Sequence, residues 1–120
     1  MKSHKDLTVY KDSVRFSAEI YLRTSKFPKS EIFGLTSQMR RSAVSITSNI
    51  AEGSARNHTK ENIQFLFIAL GSASELDAQL EISKEIRFID AETYDSLSVS
   101  LDSISKMIQG LIRYYKSKTS

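Results

Sequence analysis

The chain has 120 residues, enough for one domain with a single modest core. Hydrophobic residues make up 40% and charged residues 26%, an ordinary globular composition that excludes a disordered chain. There is no cysteine, which excludes a disulfide framework, a thiol nucleophile and a thiolate metal site. The net charge of +3 hides an uneven spread. Residues 1–60 carry 11 Lys/Arg against 5 Asp/Glu, while residues 75–102 carry 2 against 8. A basic half of this kind attracts a polyanion such as RNA or DNA. The alternative is that complementary halves attract each other, within one chain or between subunits.

The opening stretch MKSHKDLTVYKD has no apolar core of the length a signal peptide needs. The longest apolar run, FLFIAL at 65–70, is far short of the roughly 20 residues needed to span a bilayer. The expectation is a soluble, cytoplasmic protein with no membrane partner.

Apolar spacing predicts four helices, at about 7–25, 30–54, 59–87 and 91–116, in one domain covering 1–120. On the first, Leu7, Tyr10, Val14, Ala18 and Tyr21 lie on one stripe. It ends at Phe27-Pro28, because the residue before proline is pushed out of helical geometry. The second starts near Ser30 as N-cap, with Glu31 in its first turn, and carries Ile32, Leu35, Met39, Ala43, Ile46 and Ile50. Gly53 and the polar run SARNH mark its end. The third starts near Thr59, another N-cap candidate, with Glu61 in its first turn, and lines one face with Ile63, Leu66, Leu70, Ala73, Leu76 and Leu80. Asp90 is the expected N-cap of the fourth. There Tyr94, Leu97, Leu101, Ile104, Ile108, Leu111 and Tyr115 alternate in steps of three and four, a seam suited to a bundle. Short connections favour antiparallel neighbours. The fold expected is therefore all-α, an antiparallel up-down-up-down four-helix bundle.

Residues 65–70 are apolar all around their helix, more than one bundle stripe requires. Phe65, Ile68 and Ala69 fall outside the main stripe of the third helix, as Phe16 and Ile20 do on the first. A second apolar face predicts an oligomer interface through these five residues. The alternative is a third helix buried on two sides within its own bundle.

Catalytic and metal-binding patterns are absent. His4 and His58 fall in an expected tail and turn, with no HExxH arrangement. Glu75, Asp77, Glu81 and Glu85 recur on the third helix with no histidine three residues on, as a helix-borne di-iron site would need. No phosphate-cradling glycine loop and no GxSxG occur. The expectation is a non-enzyme with no cofactor. Arg40, Arg41, Arg56 and Lys60 are the candidate phosphate contacts, acting by charge without sequence specificity.

Within SITSNIAEGSARNHTKE, residues 45–61, Ser45, Ser48 and Glu52 share a helix face. Glu52 and Arg56 are four apart and can pair. Gly53 allows either close helix packing or a left-handed terminating residue. Ser48, Asn49, Glu52 and Gly53 are read as a structural polar cluster that fixes how the second and third helices meet.

The segment FPKSEIFGLTSQMRRSAVSITSNIAEGSARNHTKENIQFLFIALGSASELDAQL closely resembles the bacterial four-helix-bundle family of 23S rRNA intervening-sequence proteins. The combination GLTSQ-x-RR, SNIAEG and FL-x-IALGS carries the resemblance, which extends to DLTVYKDSVRFSAEIY upstream and MIQGLIRYY near the end. It implies an antiparallel bundle. By similarity to the related accessory protein of diversity-generating retroelements, it also implies a homopentamer that binds nucleic acid. The family's biochemical role is generally unassigned. Thr47 stands where the family usually has proline, so a kink there should be weak unless Ser45, Thr47 or Ser48 bonds back to the helix and bends it. Tyr10 stands where tryptophan is frequent, and Asn57 near a missing basic residue. The leading expectation is an oligomeric bundle binding RNA or DNA through a basic surface. The alternative is a protein-interaction or scaffolding module without nucleic acid.

Overall fold

A 3-10 turn at His4–Asp6 precedes four helices, α1 (Thr8–Thr24), α2 (Leu35–Ser54), α3 (Thr59–Glu85) and α4 (Ala91–Lys116). A second 3-10 turn at Lys29–Glu31 lies between α1 and α2. The computed structural model describes residues 4–118, apart from the Asp6 side chain. The outermost parts of the predicted domain, residues 1–3 and 119–120, lie outside the described residues. Each helix packs on the next, and α4 returns to α1, so the four form an antiparallel bundle about 48 Å long. The α1–α2 and α3–α4 connections share one end, where the Phe27 and Phe88 rings meet at 5.1 Å. The α2–α3 turn shares the other end with the C-terminus of α4.

The core is a column of aliphatic side chains, with Met39, Ile46 and Ile50 from α2 against Leu66, Leu76 and Leu80 from α3. Leu97, Leu101, Ile104 and Ile108 close it from α4, so the predicted seam of that helix is the buried one. On α1 the buried stripe is different from the predicted one. It runs Val9, Ser13, Phe16, Ile20 and Thr24, while Val14, Ala18 and Tyr21 are exposed. Two hydroxyls made this stripe look polar. Each is neutralised on its own helix: Ser13 Oγ donates to Tyr10 O at 2.8 Å and Thr24 Oγ1 to Ile20 O at 2.7 Å. A satisfied hydroxyl can be buried at little cost.

The oligomer-interface expectation fails for three of its five residues. Phe16, Ile20 and Ala69 are buried in the core of their own chain, at 5%, 0% and 0% exposure, and are not available to a second subunit. They looked surplus only because the α1 stripe was placed one face away and because the core of α3 is wide. Phe65 is half-buried and Ile68 is half-exposed, at 51%.

Helix ends explain the remaining differences. Ser30 does not cap α2, which begins five residues later. Instead Glu31 reaches forward from the 3-10 turn, its Oε1 accepting from Leu35 N–H at 3.2 Å. Thr59 lies inside α3, after His58, which makes no side-chain cap. Asp90 does cap α4, its Oδ1 accepting from Thr93 N–H at 2.7 Å. Hydrogen bonding by Thr93, from its side chain and then its backbone N–H, holds the Asp90 carboxyl below its ordinary range, and Arg23 adds a smaller attraction. His4 is held in the first 3-10 turn, its ring edge-on to Tyr10 at 4.7 Å.

Candidate nucleic-acid interface

The stretch 45–61 spans the second half of α2 and the turn into α3. Its hydroxyls tie α2 to both neighbours. Thr47 Oγ1 donates to Ser13 Oγ at 3.0 Å and lies 3.4 Å from Ser17 Oγ on α1. On the other flank, Ser45 Oγ meets Ser72 Oγ of α3 at 2.8 Å. Asn49, half-buried, donates from Nδ2 to Ser45 O at 2.8 Å and to Ser45 Oγ at 3.1 Å. Ser48 is exposed and stands outside this network among the described residues. Ser45 and Thr47 take the place predicted for it.

Gly53 is buried and helical, with no positive φ, so close packing is its role. The buried Asn62 sits opposite it on α3. With its amide turned to satisfy both groups, Asn62 Nδ2 donates to Gly53 O and to Arg56 O at 3.2 Å. Gly53 O also accepts from Arg56 N–H at 3.2 Å, so Asn62 reinforces the turn in which α2 ends. Glu52 and Arg56 pair as predicted, at 2.7 Å, and Arg56 also approaches Glu61 at 3.9 Å.

The four candidate phosphate contacts do not converge. Arg40 and Arg41 lie near the start of α2 and Arg56 and Lys60 beyond its end, about 20 Å apart at about 1.5 Å per residue. Nor are the four equally available. Arg40 is committed to α1: its Nε donates to Thr24 Oγ1 at 3.0 Å, Nη2 to Tyr21 O at 3.3 Å, and the guanidinium covers the Tyr21 ring at 4.6 Å. Arg56 is held by two carboxylates and lies over the Phe65 ring at 4.9 Å. Arg41 and Lys60 are exposed and make no ion pair among the described residues.

Sequence reasoning overlooked a second group of cations. From 103 to 118 the chain carries Lys106, Arg113, Lys116 and Lys118 and no carboxylate residue. Lys106 pairs back to Asp102 at 3.0 Å. The other three crowd the end of α4, beside the α2–α3 turn. There the Lys116 Nζ lies 5.4 Å from the centre of the Phe67 ring, and the Lys118 Nζ 4.8 Å from that of Tyr114. Phe67 and Lys116 are 49 positions apart, so only the antiparallel packing of α3 on α4 unites them. The acidic run sits at the opposite end, on the second half of α3 and the first half of α4. Among the described residues, no group of three or more His, Cys, Asp or Glu side chains is placed to hold a metal.

Comparison with known proteins fits this architecture. Residues 5–110 match the 23S rRNA-intervening sequence protein family. The chain belongs to that family. It is also similar to a crystal structure from Bacteroides thetaiotaomicron, a protein of unknown function from the S23 ribosomal protein family. The two share 28% identity with a TM-score of 0.80, covering 88% of this chain and 95% of that one. No curated protein matches the chain.

In this member of the intervening-sequence family, the expectation at Thr47 is a weak kink unless a hydroxyl bonds back to the helix. The Thr47 hydroxyl does not bond back along α2. It points across to α1 and links the two helices. Among the described residues of this family member, no helix is long and apolar enough to cross a membrane.

Proposed function

We propose that this family member is a non-enzymatic, oligomeric four-helix bundle that binds RNA or DNA through charge. The observation that supports this is the sorting of charge along the bundle. Exposed Lys60 and Arg113 and the lysines ending α4 stand at the end of the bundle opposite the acidic run of Glu75–Asp102, whereas exposed Arg41, near the start of α2, lines a cavity with Glu75 toward the acidic end. Of the four cations first singled out, Arg41 and Lys60 are the phosphate ligands. Arg40 and Arg56 spend their charge inside the fold.

The test is binding to RNA and DNA across a salt series, with light-scattering mass and the ratio of absorbance at 260 and 280 nm on the same peak. Replacing Arg41 and Lys60 together by Ala should weaken binding to every sequence and flatten the slope of log K against log salt by about 1.4 to 1.8. Binding that survives high salt, or is indifferent to this change, rules out the electrostatic mechanism. A mass of several chains with co-eluting nucleic acid is the expected result.

A protein partner is the competing reading, and one observation favours it. Leu22 and Phe33, near the acidic end, are 65% and 93% exposed. An oligomer that purifies free of nucleic acid, and binds none when offered it, would select that reading.

A further inference from the structure

A polar cleft of about 340 Å³ lies between α2 and α3, at the small end of the range for ligand sites. Ser45 Oγ and Ser72 Oγ, 2.8 Å apart, mark one end of it and fix the register of its walls. From there the antiparallel helices bring Ser42 opposite Glu75 one turn on, and Gln38 opposite Gln79 two turns on. Arg41 stands beside Ser42 on the α2 wall.

The side chains of this cleft are polar and do not satisfy one another. Arg41 and Glu75 both line it, yet they form no ion pair among the described residues. The Oε1 of Gln79 is buried and has no hydrogen-bond partner. Gln38 and the buried Ser42 likewise make no side-chain hydrogen bond among the described residues. Elsewhere on α2 and its C-terminal turn, Arg40, Thr47, Asn49 and Arg56 all find partners within the chain. A buried acceptor without a donor is costly, and its persistence calls for a reason.

We infer that the cleft binds a free α-amino acid, with Arg41 taking its carboxylate and Glu75 and Gln79 Oε1 sharing its ammonium group. The two walls differ in chemistry. A guanidinium only donates, whereas an ionised carboxylate and an amide oxygen only accept. An inorganic anion inside the cleft would satisfy Arg41 and meet two acceptors. A metal cation would satisfy Glu75 and meet a guanidinium. A molecule carrying both charges satisfies each wall through charge-assisted hydrogen bonds, and Gln79 Oε1 gains the donor it lacks. Ser42 and Gln38 are left for a polar side chain on the ligand. This site goes beyond the nucleic-acid reading, and Arg41 is the residue the two share. It serves one anion at a time, so a bound amino acid competes with a strand for it.

The experiment is saturation-transfer NMR on the full chain, with each standard L-amino acid offered alone and no nucleic acid present. One or more with a polar side chain should give a saturable signal, and acetate or methylammonium alone should not. In titrations of that amino acid, Arg41→Gln and Glu75→Gln should each raise the dissociation constant about tenfold or more. Both side chains are exposed, so the fold should tolerate either change. Gln79→Met, of similar shape, should also weaken binding without lowering the melting temperature, because it removes an acceptor that nothing in the chain satisfies. No saturable signal from any amino acid, equal binding of acetate, or an affinity indifferent to Glu75→Gln would overturn the site. With no strand present, those outcomes leave charge-driven nucleic-acid binding standing, and failure of the salt series would leave the cleft standing.

Discussion

A Cβ on Gly53 would stand 3.1 Å from the Cβ of Phe65 and 3.3 Å from the carbonyl oxygen of Asn62. Both neighbours belong to the rigid part of α3, so neither can swing away. The two helices approach this closely only because position 53 has no side chain. Gly53→Ala should therefore destabilise the protein by about 1 kcal/mol or more, although alanine is the better helix former by about 1 kcal/mol. Gly71, also inside α3, has nothing within 4 Å of where a Cβ would stand. Gly71→Ala should stabilise by about 1 kcal/mol. Urea denaturation of the two variants separates the effects, and shifts of the same sign would refute the close approach.

Arg40 and Arg41 are adjacent in sequence and divergent in role. Arg40 holds the end of α1 through two hydrogen bonds and a ring contact, whereas Arg41 is exposed. Arg40→Ala should cost about 1–2 kcal/mol of stability, mostly through the lost charge-assisted hydrogen bonds. Arg41→Ala should stay within about 0.5 kcal/mol of the unaltered chain. Nucleic-acid affinity should respond the other way when measured on folded protein, falling for Arg41→Ala and changing little for Arg40→Ala. A double Arg40, Arg41 variant would confuse the two effects.

How far this was legible in the sequence depends on whether one side chain or a pair of helices decided the answer. The seam of α4 and the Asp90 cap are local patterns, and both were readable. The core stripe of α1 was not, because Ser13 and Thr24 count as polar until their hydrogen bonds to Tyr10 and Ile20 are known. The Glu52–Arg56 pair follows from helical spacing alone. Contacts such as Ser45 with Ser72, or Phe67 with Lys116, join residues 27 and 49 positions apart and need the helix order and register. The carboxylate-free stretch at 103–118 is legible in the sequence, but its place beside Phe67 and the α2–α3 turn is not.

Arg87 has a left-handed backbone, with φ of 64°, at the end of α3. The turn is held by Phe88 N–H donating to Ser83 O at 2.8 Å and Arg87 N–H donating to Lys84 O at 3.0 Å. This is the Schellman arrangement, which most often has glycine at the left-handed position. Arg87→Gly should raise stability by about 1 kcal/mol, since the Cβ strain disappears. Thermal unfolding followed by circular dichroism measures it. A lowered midpoint would mean that the Arg87 side chain contributes more than its backbone costs.

Asp90 links the stability of α4 to pH. Its carboxyl is held below the ordinary value of 3.8, chiefly by Thr93. A carboxyl with a lower pKa folded than unfolded stabilises the fold above its unfolded pKa. That contribution disappears as pH falls through the folded pKa. The cap is exposed, so the effect should be modest and should shrink in salt. Asp90→Asn should keep a capping acceptor but lose this part of the acid dependence. Melting temperatures of both proteins, followed from neutral pH downward, should converge at the acid end. Parallel curves throughout would remove Asp90 from the account.

Ile20 and Ile68 were both expected at a subunit contact, and the fold separates them. Ile20 is fully buried in α1, while Ile68 is 51% exposed on α3. Ile20→Ala should cost about 2–5 kcal/mol, because it deletes buried methyl groups and leaves a cavity. A side chain in the core of its own chain gives the same deficit at every protein concentration. A side chain at a subunit contact gives one that depends on concentration, since association there is part of the stability. Denaturation of Ile20→Ala at several concentrations should therefore show a constant loss relative to the unaltered chain. Ile68→Ala should cost less than about 1 kcal/mol in the isolated chain. If Ile68 joins two subunits, its loss should instead lower the light-scattering mass at low concentration. A mass unchanged by Ile68→Ala, at every concentration tried, would remove Ile68 from any interface and leave none of the predicted core of that contact except the half-buried Phe65.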